Sequence, residues 1–186
     1  MDVRDFGAQT PQQDKAKLEP GKGKLESHRG GARRRGRELA LGILFQADIA
    51  GLGPGAAMIA AADTLRLLVE QWDMAAEEER KLEAEIDQFG RRLCEEFFKD
   101  AERIDAVIDE LSHEWALERM PAIDRNILRL SLAELRHSPD VPASAAINEA
   151  VELAKIYGTP DSGKFVNGIL GAYARREGLV SDKGHE

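Results

Sequence analysis

The sequence has a single cysteine, Cys94, in 186 residues. An intrachain disulfide is thereby excluded, and so is a metal cluster built on thiolates. Aromatic residues make up only 5% of the chain, and no alternating apolar segment is long enough to read as a strand. A sheet architecture therefore lacks its usual material. No apolar run reaches the length of a membrane span, and the first residues carry no secretory signal pattern. Catalytic groupings are missing as well. His113 and Glu114 lack a second histidine at zinc-helix spacing, and His28 and His137 stand alone. The Gly-Lys repeat at 21–24 follows no strand and precedes no serine or threonine, so it is not a phosphate loop. These absences predict a cytoplasmic protein that is not an enzyme and needs neither cofactor nor metal.

What is present favours helices. Hydrophobic residues reach 42% and charged residues 32%, with Ala, Leu, Glu and Arg dominant. Residues 1–31 are polar, basic and without apolar period, and are expected to be a disordered tail. The segment 177–186 is expected to be a second flexible tail. Between them, 32–176 reads as one helical domain. A first helix is predicted from about Ala32 to Ala50, stopping at Gly-Leu-Gly-Pro-Gly, and a second from about Ala56 to Trp72. Leu82, Ile86, Phe89, Leu93 and Phe97 mark a third, and Ile104, Val107, Ile108 and Leu111 a fourth. A fifth, with Pro121 in its first turn, is apolar nearly all round and should be central. Ile147, Ala150, Val151 and Ala154 mark a sixth, with Gly158 expected to close it in the left-handed conformation. Thr159 and Pro160 read as the cap and first turn of a seventh. The predicted class is all-α.

Charge is unevenly placed. The net charge is −8, yet residues 22–37 hold seven Lys or Arg and one acid. Residues 77–118 hold fifteen acids and six bases. The basic stretch runs into the first helix as Arg33, Arg34, Arg35 and Arg37. Cations oppose the partial positive charge of a helix N-terminus, whereas anions are drawn to it. At 100° per residue, Arg33 and Arg37 extend the stripe of Ala40, Leu44 and Ala47. The array suits a row of phosphates. The pattern equally suits a solvated basic end.

Three blocks carry a family resemblance: "ARRRGRELALGILFQ" at 32–46, "WALERMPAIDRNILRLSLAEL" at 115–135 and "VPASAAINEAVELAKIYGTPDSGKFVNGIL" at 141–170. In this order they resemble the NusB family of transcription antitermination factors, over about residues 32–173. Gly36 stands where relatives often have alanine, which should loosen the start of the first helix. The resemblance implies a seven-helix compact bundle of two small subdomains and no catalysis. It also implies binding to boxA-type RNA of nascent ribosomal transcripts, jointly with a small-subunit ribosomal protein (NusE), within an antitermination complex of RNA polymerase. Residue by residue, it implies an RNA face of Arg33, Arg34, Arg35, Arg37, Phe45, Arg129, Asp161, Ser162, Lys164 and Phe165. Asp124 and Arg125 would face the ribosomal partner. Position alone favours Phe165 as core. Asn148 and Asn167, among apolar neighbours, read as buried amides. The competing expectation is a helical interaction module that forms a homodimer and ignores RNA. A third class, the rRNA methyltransferases that carry a similar domain in front, would need a cofactor-binding domain for which the chain has no room.

Overall fold

The computed structural model describes residues 31–72, 76–112 and 115–180. The expected tail up to residue 30, the place of Leu82 in its stripe, His113, Glu114 and residues 181–186 lie outside the described residues. The chain forms α1 (Ala32–Ala50), α2 (Pro54–Trp72), α3 (Ala76–Ser112), a short 3-10 turn (Leu117–Arg119), α4 (Ala122–His137), α5 (Ala143–Tyr157) and α6 (Ser162–Arg176). The class is all-α, and no strand occurs among the described residues. The expected third and fourth helices are the two arms of α3, divided by a kink where Asp100 leaves helical geometry (φ −125°, ψ 18°) between the two apolar stripes. The bend is held from outside. The Asp100 carboxylate accepts Arg136 Nε at 2.7 Å and lies 3.3 Å from His137 Nε2, both on the last turn of α4.

The apolar stripes read from the sequence form one continuous core. Leu39, Ile43 and Leu44 of α1 pack with Ile86, Leu93, Ile104 and Ile108 of α3 and with Ile127, Leu128, Leu130 and Leu132 of α4. Helix α4 touches α1, α3, α5 and α6, as its all-round apolarity predicts. Helices α1 and α3 cross closely. A Cβ on Gly36 would lie 2.6 Å from Phe89 Cδ1, and one on Gly90 would lie 2.8 Å from the Gly36 carbonyl oxygen. Gly36 thus fits the crossing tightly, a packing role that the expected loosening of the helix start did not include. No helix of the described residues is long and apolar enough to cross a membrane.

Two ion networks fix α1 against α4 and set their directions. Near the start of α1, Arg37 meets Glu134 of the last turns of α4. Near its end, Asp48 meets Arg125, Asn126 and Arg129 of the first turns of α4. The two helices therefore run antiparallel. The arginine-rich start of α1 lies by the C-terminal end of α4.

Candidate nucleic-acid interface

The arginines of α1 diverge in environment. Arg33 is the most open, with 59% of its side chain exposed, and donates from Nη2 to Asp140 Oδ2 at 3.3 Å. Arg34 is largely covered, its Nη1 3.8 Å from Glu149 Oε1 on α5. Arg35 is half-buried. Arg37 lies inside the protein with 6% of its side chain exposed. Its Nε donates to Glu134 Oε2 at 2.8 Å, its Nη2 to Oε1 at 2.5 Å, and its guanidinium stands 5.5 Å from the Phe89 ring centre. The predicted stripe is real: Arg37, Ala40, Leu44 and Ala47 are all buried. The bundle extends further toward the start of α1 than the apolar residues alone suggested, so Arg37 leaves the expected RNA face. Its charge is matched by Glu134, and the protein around it keeps a phosphate from reaching its remaining N–H groups.

The first turn of α6 supplies the second patch. Lys164 and Asp161 are exposed, Ser162 is buried and Phe165 is half-buried. Phe165 meets Trp115 edge-on, with ring centres 5.6 Å apart at 83°. Trp115 is itself exposed, so this aromatic pair forms part of the surface. The helix begins at Ser162 and not at Pro160 as expected. The Ser162 hydroxyl accepts the Thr159 N–H at 2.9 Å and lies 3.1 Å from Thr159 Oγ1, which spends Thr159 in the turn. Gly158 has φ −96°, so the left-handed closure predicted for it does not occur. Its glycine is required by proximity instead: a Cβ there would lie 2.5 Å from Ser162 Oγ and 2.7 Å from the Ala154 carbonyl oxygen.

Helix α5 joins the two patches. Arg34 lies along it at Glu149 and acts electrostatically on Tyr157, eight residues further on, which is about 12 Å of helix. Burial and the nearby Glu38 push the Tyr157 hydroxyl up to about 12, with Arg34 opposing, so Tyr157 stays a neutral phenol. Phe45 is exposed and shares the Arg34 face of α1, eleven residues or about 16 Å along it. The patches are therefore separated by about 12 Å along α5. Tyr157 stands exposed at the end of α5, between the Glu149 turn and the start of α6, and Phe45 stands exposed on α1.

Three further expected site residues turn inward. Arg129 donates twice to Asp105, at 2.8 and 2.7 Å, and once to Asp48 at 2.9 Å, with its guanidinium over the Phe97 ring. Arg125 grips Asp48 and donates to the carbonyl oxygens of Leu117 and Met120. Asp124 is buried, and its carboxylate takes a side-chain hydrogen bond from Ser162. Burial raises the Asp124 carboxyl above its ordinary range, and the Ser162 bond only partly opposes this. Asp124 and Arg125 thus tie α4 to α6, to the 3-10 turn and to α1, and present no free charge to a partner. Asn148 and Asn167 are exposed, not buried. The buried amide is Asn126, which donates to Asp48 at 2.9 Å and to the Ala122 carbonyl oxygen at 2.8 Å. Asp48 was legible in principle: an acid in the last turn of a helix opposes the dipole and so signals a partner.

Comparison with known proteins agrees with this architecture. The model of the NusB family matches residues 34–175. A transcription antitermination protein NusB of Symbiobacterium thermophilum is 46% identical over 144 residues, covering 77% of this chain and 90% of that protein. The solved T. maritima NusB superposes with a TM-score of 0.62 at 34% identity, over 77% of this chain and 90% of that one. A chain in a crystal structure of the antitermination factors NusB and NusE with double-stranded RNA shares the fold, with a TM-score of 0.59 at 24% identity, over 78% and 97%. The chain belongs to the NusB family.

Proposed function

We propose that the chain is a transcription antitermination factor, and not an enzyme, that binds boxA-type single-stranded RNA of nascent ribosomal transcripts. It acts in the cytoplasm with a small-subunit ribosomal protein of the NusE kind, within an elongating RNA polymerase complex. The observation that carries the reading is the flank of α1, α5 and α6. Arg33 and Arg34 stand beside Asp140 and Glu149, Lys164 and Phe165 stand at the first turn of α6, Tyr157 is exposed at the end of α5 and Phe45 is exposed on α1. Exposed aromatic faces beside cations are what unpaired bases and their phosphates need. The name of the Symbiobacterium relative and the NusB–NusE–RNA complex of a fold neighbour support it.

Within this reading Arg33, Arg34 and Lys164 contact phosphate, with Arg35, Asp161 and Ser162 bordering the path. Arg37 and Arg129 hold the surface in place from within. The ribosomal partner meets acidic surface: Glu85, Glu95, Glu102, Asp109 and Glu110 are exposed along α3, which suits a basic protein. A titration of single-stranded boxA-type RNA, with and without the ribosomal protein, tests the proposal. With three phosphate contacts, log Kobs should fall against log salt with a slope of about −2, and the partner should tighten binding. Absence of RNA binding under both conditions would overturn it.

A further inference from the structure

Three of the arginines that open α1 face acids in the folded chain. Arg33 faces Asp140, Arg34 faces Glu149, and Arg37 faces Glu134 with Glu149 as a second neighbour at 3.9 Å. These acids arrive from the C-terminal end of α4, from the connection after it and from α5. The pairs differ in quality. Arg37 and Glu134 make two short hydrogen bonds out of solvent. The contacts of Glu149 at 3.8 and 3.9 Å are too long for hydrogen bonds. Glu149 Oε2 and Arg34 Nε are buried atoms without a hydrogen-bond partner, a condition that folded proteins seldom tolerate. Asp140 and Arg33 are both more than half exposed, so water competes for each.

We propose that Asp140 and Glu149 occupy, inside the chain itself, the two arginines that an RNA phosphate must claim, and thereby set the affinity and the selectivity of the RNA flank. This rests on the RNA-binding reading above. Carboxylate and phosphodiester are both oxygen acceptors suited to the guanidinium fork, so one exchanges for the other at the same donors. The displaced carboxylates remain close to the incoming phosphate and repel it. A lone anion gains little from replacing an acceptor already in place. A polyanion that reaches Arg33, Arg34 and Lys164 together gains from all three, so the two acids discriminate in favour of a continuous strand.

The test uses the full chain and a single-stranded boxA-type oligoribonucleotide at low and high salt. Asp140→Asn is the main variant, because an exposed pair on a connection adds little to stability. Glu149→Gln is the second, with thermal melting to confirm its fold. Asp63→Asn is the control: it removes an exposed acid from an exposed arginine, Arg66 at 3.5 Å, both on α2. Asp140→Asn should tighten RNA about two- to five-fold at low salt, and the gain should shrink as salt screens the pair. Glu149→Gln should gain more, and Asp63→Asn should gain less than either. If the wild-type chain binds RNA through Arg33, yet Asp140→Asn and Glu149→Gln bind no tighter than Asp63→Asn, the inference is wrong and the RNA reading stands. If the wild type does not bind RNA, or Arg33→Ala binds as well as wild type, the RNA reading falls and this inference with it.

Discussion

The two ends of α1 are both pinned by ions, but in opposite styles. At the C-terminal end one acid, Asp48, gathers donors from Arg125, Asn126 and Arg129, with contacts of 2.5 to 3.1 Å. At the N-terminal end the arginines are on α1 and the acids come from elsewhere, and pairing loosens outward from Arg37 to Arg34 and Arg33. A network with every donor satisfied at short range is suited to holding helices together. One whose outer pairs are long or wet is suited to exchanging partners. The same residue type thus plays two parts within one turn of helix, and burial decides which.

The largest expected effect lies at the junction of these two styles. Arg37→Ala would strand the Glu134 carboxylate, 2% exposed, without its partner. Removing one member of a buried pair costs about 3–5 kcal/mol, so urea denaturation should show a loss of that size. A loss near zero would place Arg37 with the surface arginines and erase the contrast.

At the other end, burial raises the Asp48 carboxyl, but the hydrogen bonds from Arg125, Asn126 and Arg129 outweigh it and leave the pKa below its ordinary value of 3.8. Asp100 behaves likewise: burial raises it, and Arg136 and His137 lower it by more. For an acid whose folded pKa is depressed, the stabilisation is fully present above the unfolded value and is lost as pH falls through the folded one. Stability should therefore drop below about pH 4. Asp48→Asn should cost about 1.5–3 kcal/mol at pH 7, the range for a hydrogen bond to a charged group, and should flatten that acid limb. Glu96 works the other way: burial lifts its pKa, so it favours the folded state as it becomes protonated, which blunts the first part of the decline. An acid limb unchanged in Asp48→Asn would show that Asp48 is not the hub.

Smaller again is the effect of Phe165→Ala. Phe165 packs partly against the core and partly against Trp115. If a base stacks on the exposed portion, RNA binding should weaken by about 1–3 kcal/mol. Equal RNA affinity in a folded variant would return Phe165 to a purely structural part.

Much of the fold was legible because apolar spacing is a local property. The stripes of α1, α3 and α4, the all-α class and the central place of α4 follow from residues a few positions apart. The division between the expected third and fourth helices falls between Phe97 and Ile104, where Asp100 leaves helical geometry, but the bracing of that kink by Arg136 and His137 was not legible because both lie far away in sequence. The same holds for the site. Which arginine faces outward depends on acids about a hundred residues later, and nothing in "ARRRGR" tells Arg33 from Arg37. The resemblance assigned Asp124 and Arg125 to a partner and Arg129 to the RNA face. They are the polar stitching between helices, a role set by what α1, α3 and α6 bring to them. Asn148 and Asn167 misled for the mirror-image reason, since apolar neighbours along a helix do not bury a residue on its outer face.

The most direct measurement is the salt dependence of RNA binding for the double variant Arg33→Ala, Arg34→Ala beside wild type. With about 0.7 of slope per phosphate contact on a single strand, removing two contacts should flatten log Kobs against log salt by about 1.4 while leaving the fold intact. A double variant with the slope of the wild type would contradict the account, because the outward arginines would then hold no phosphate.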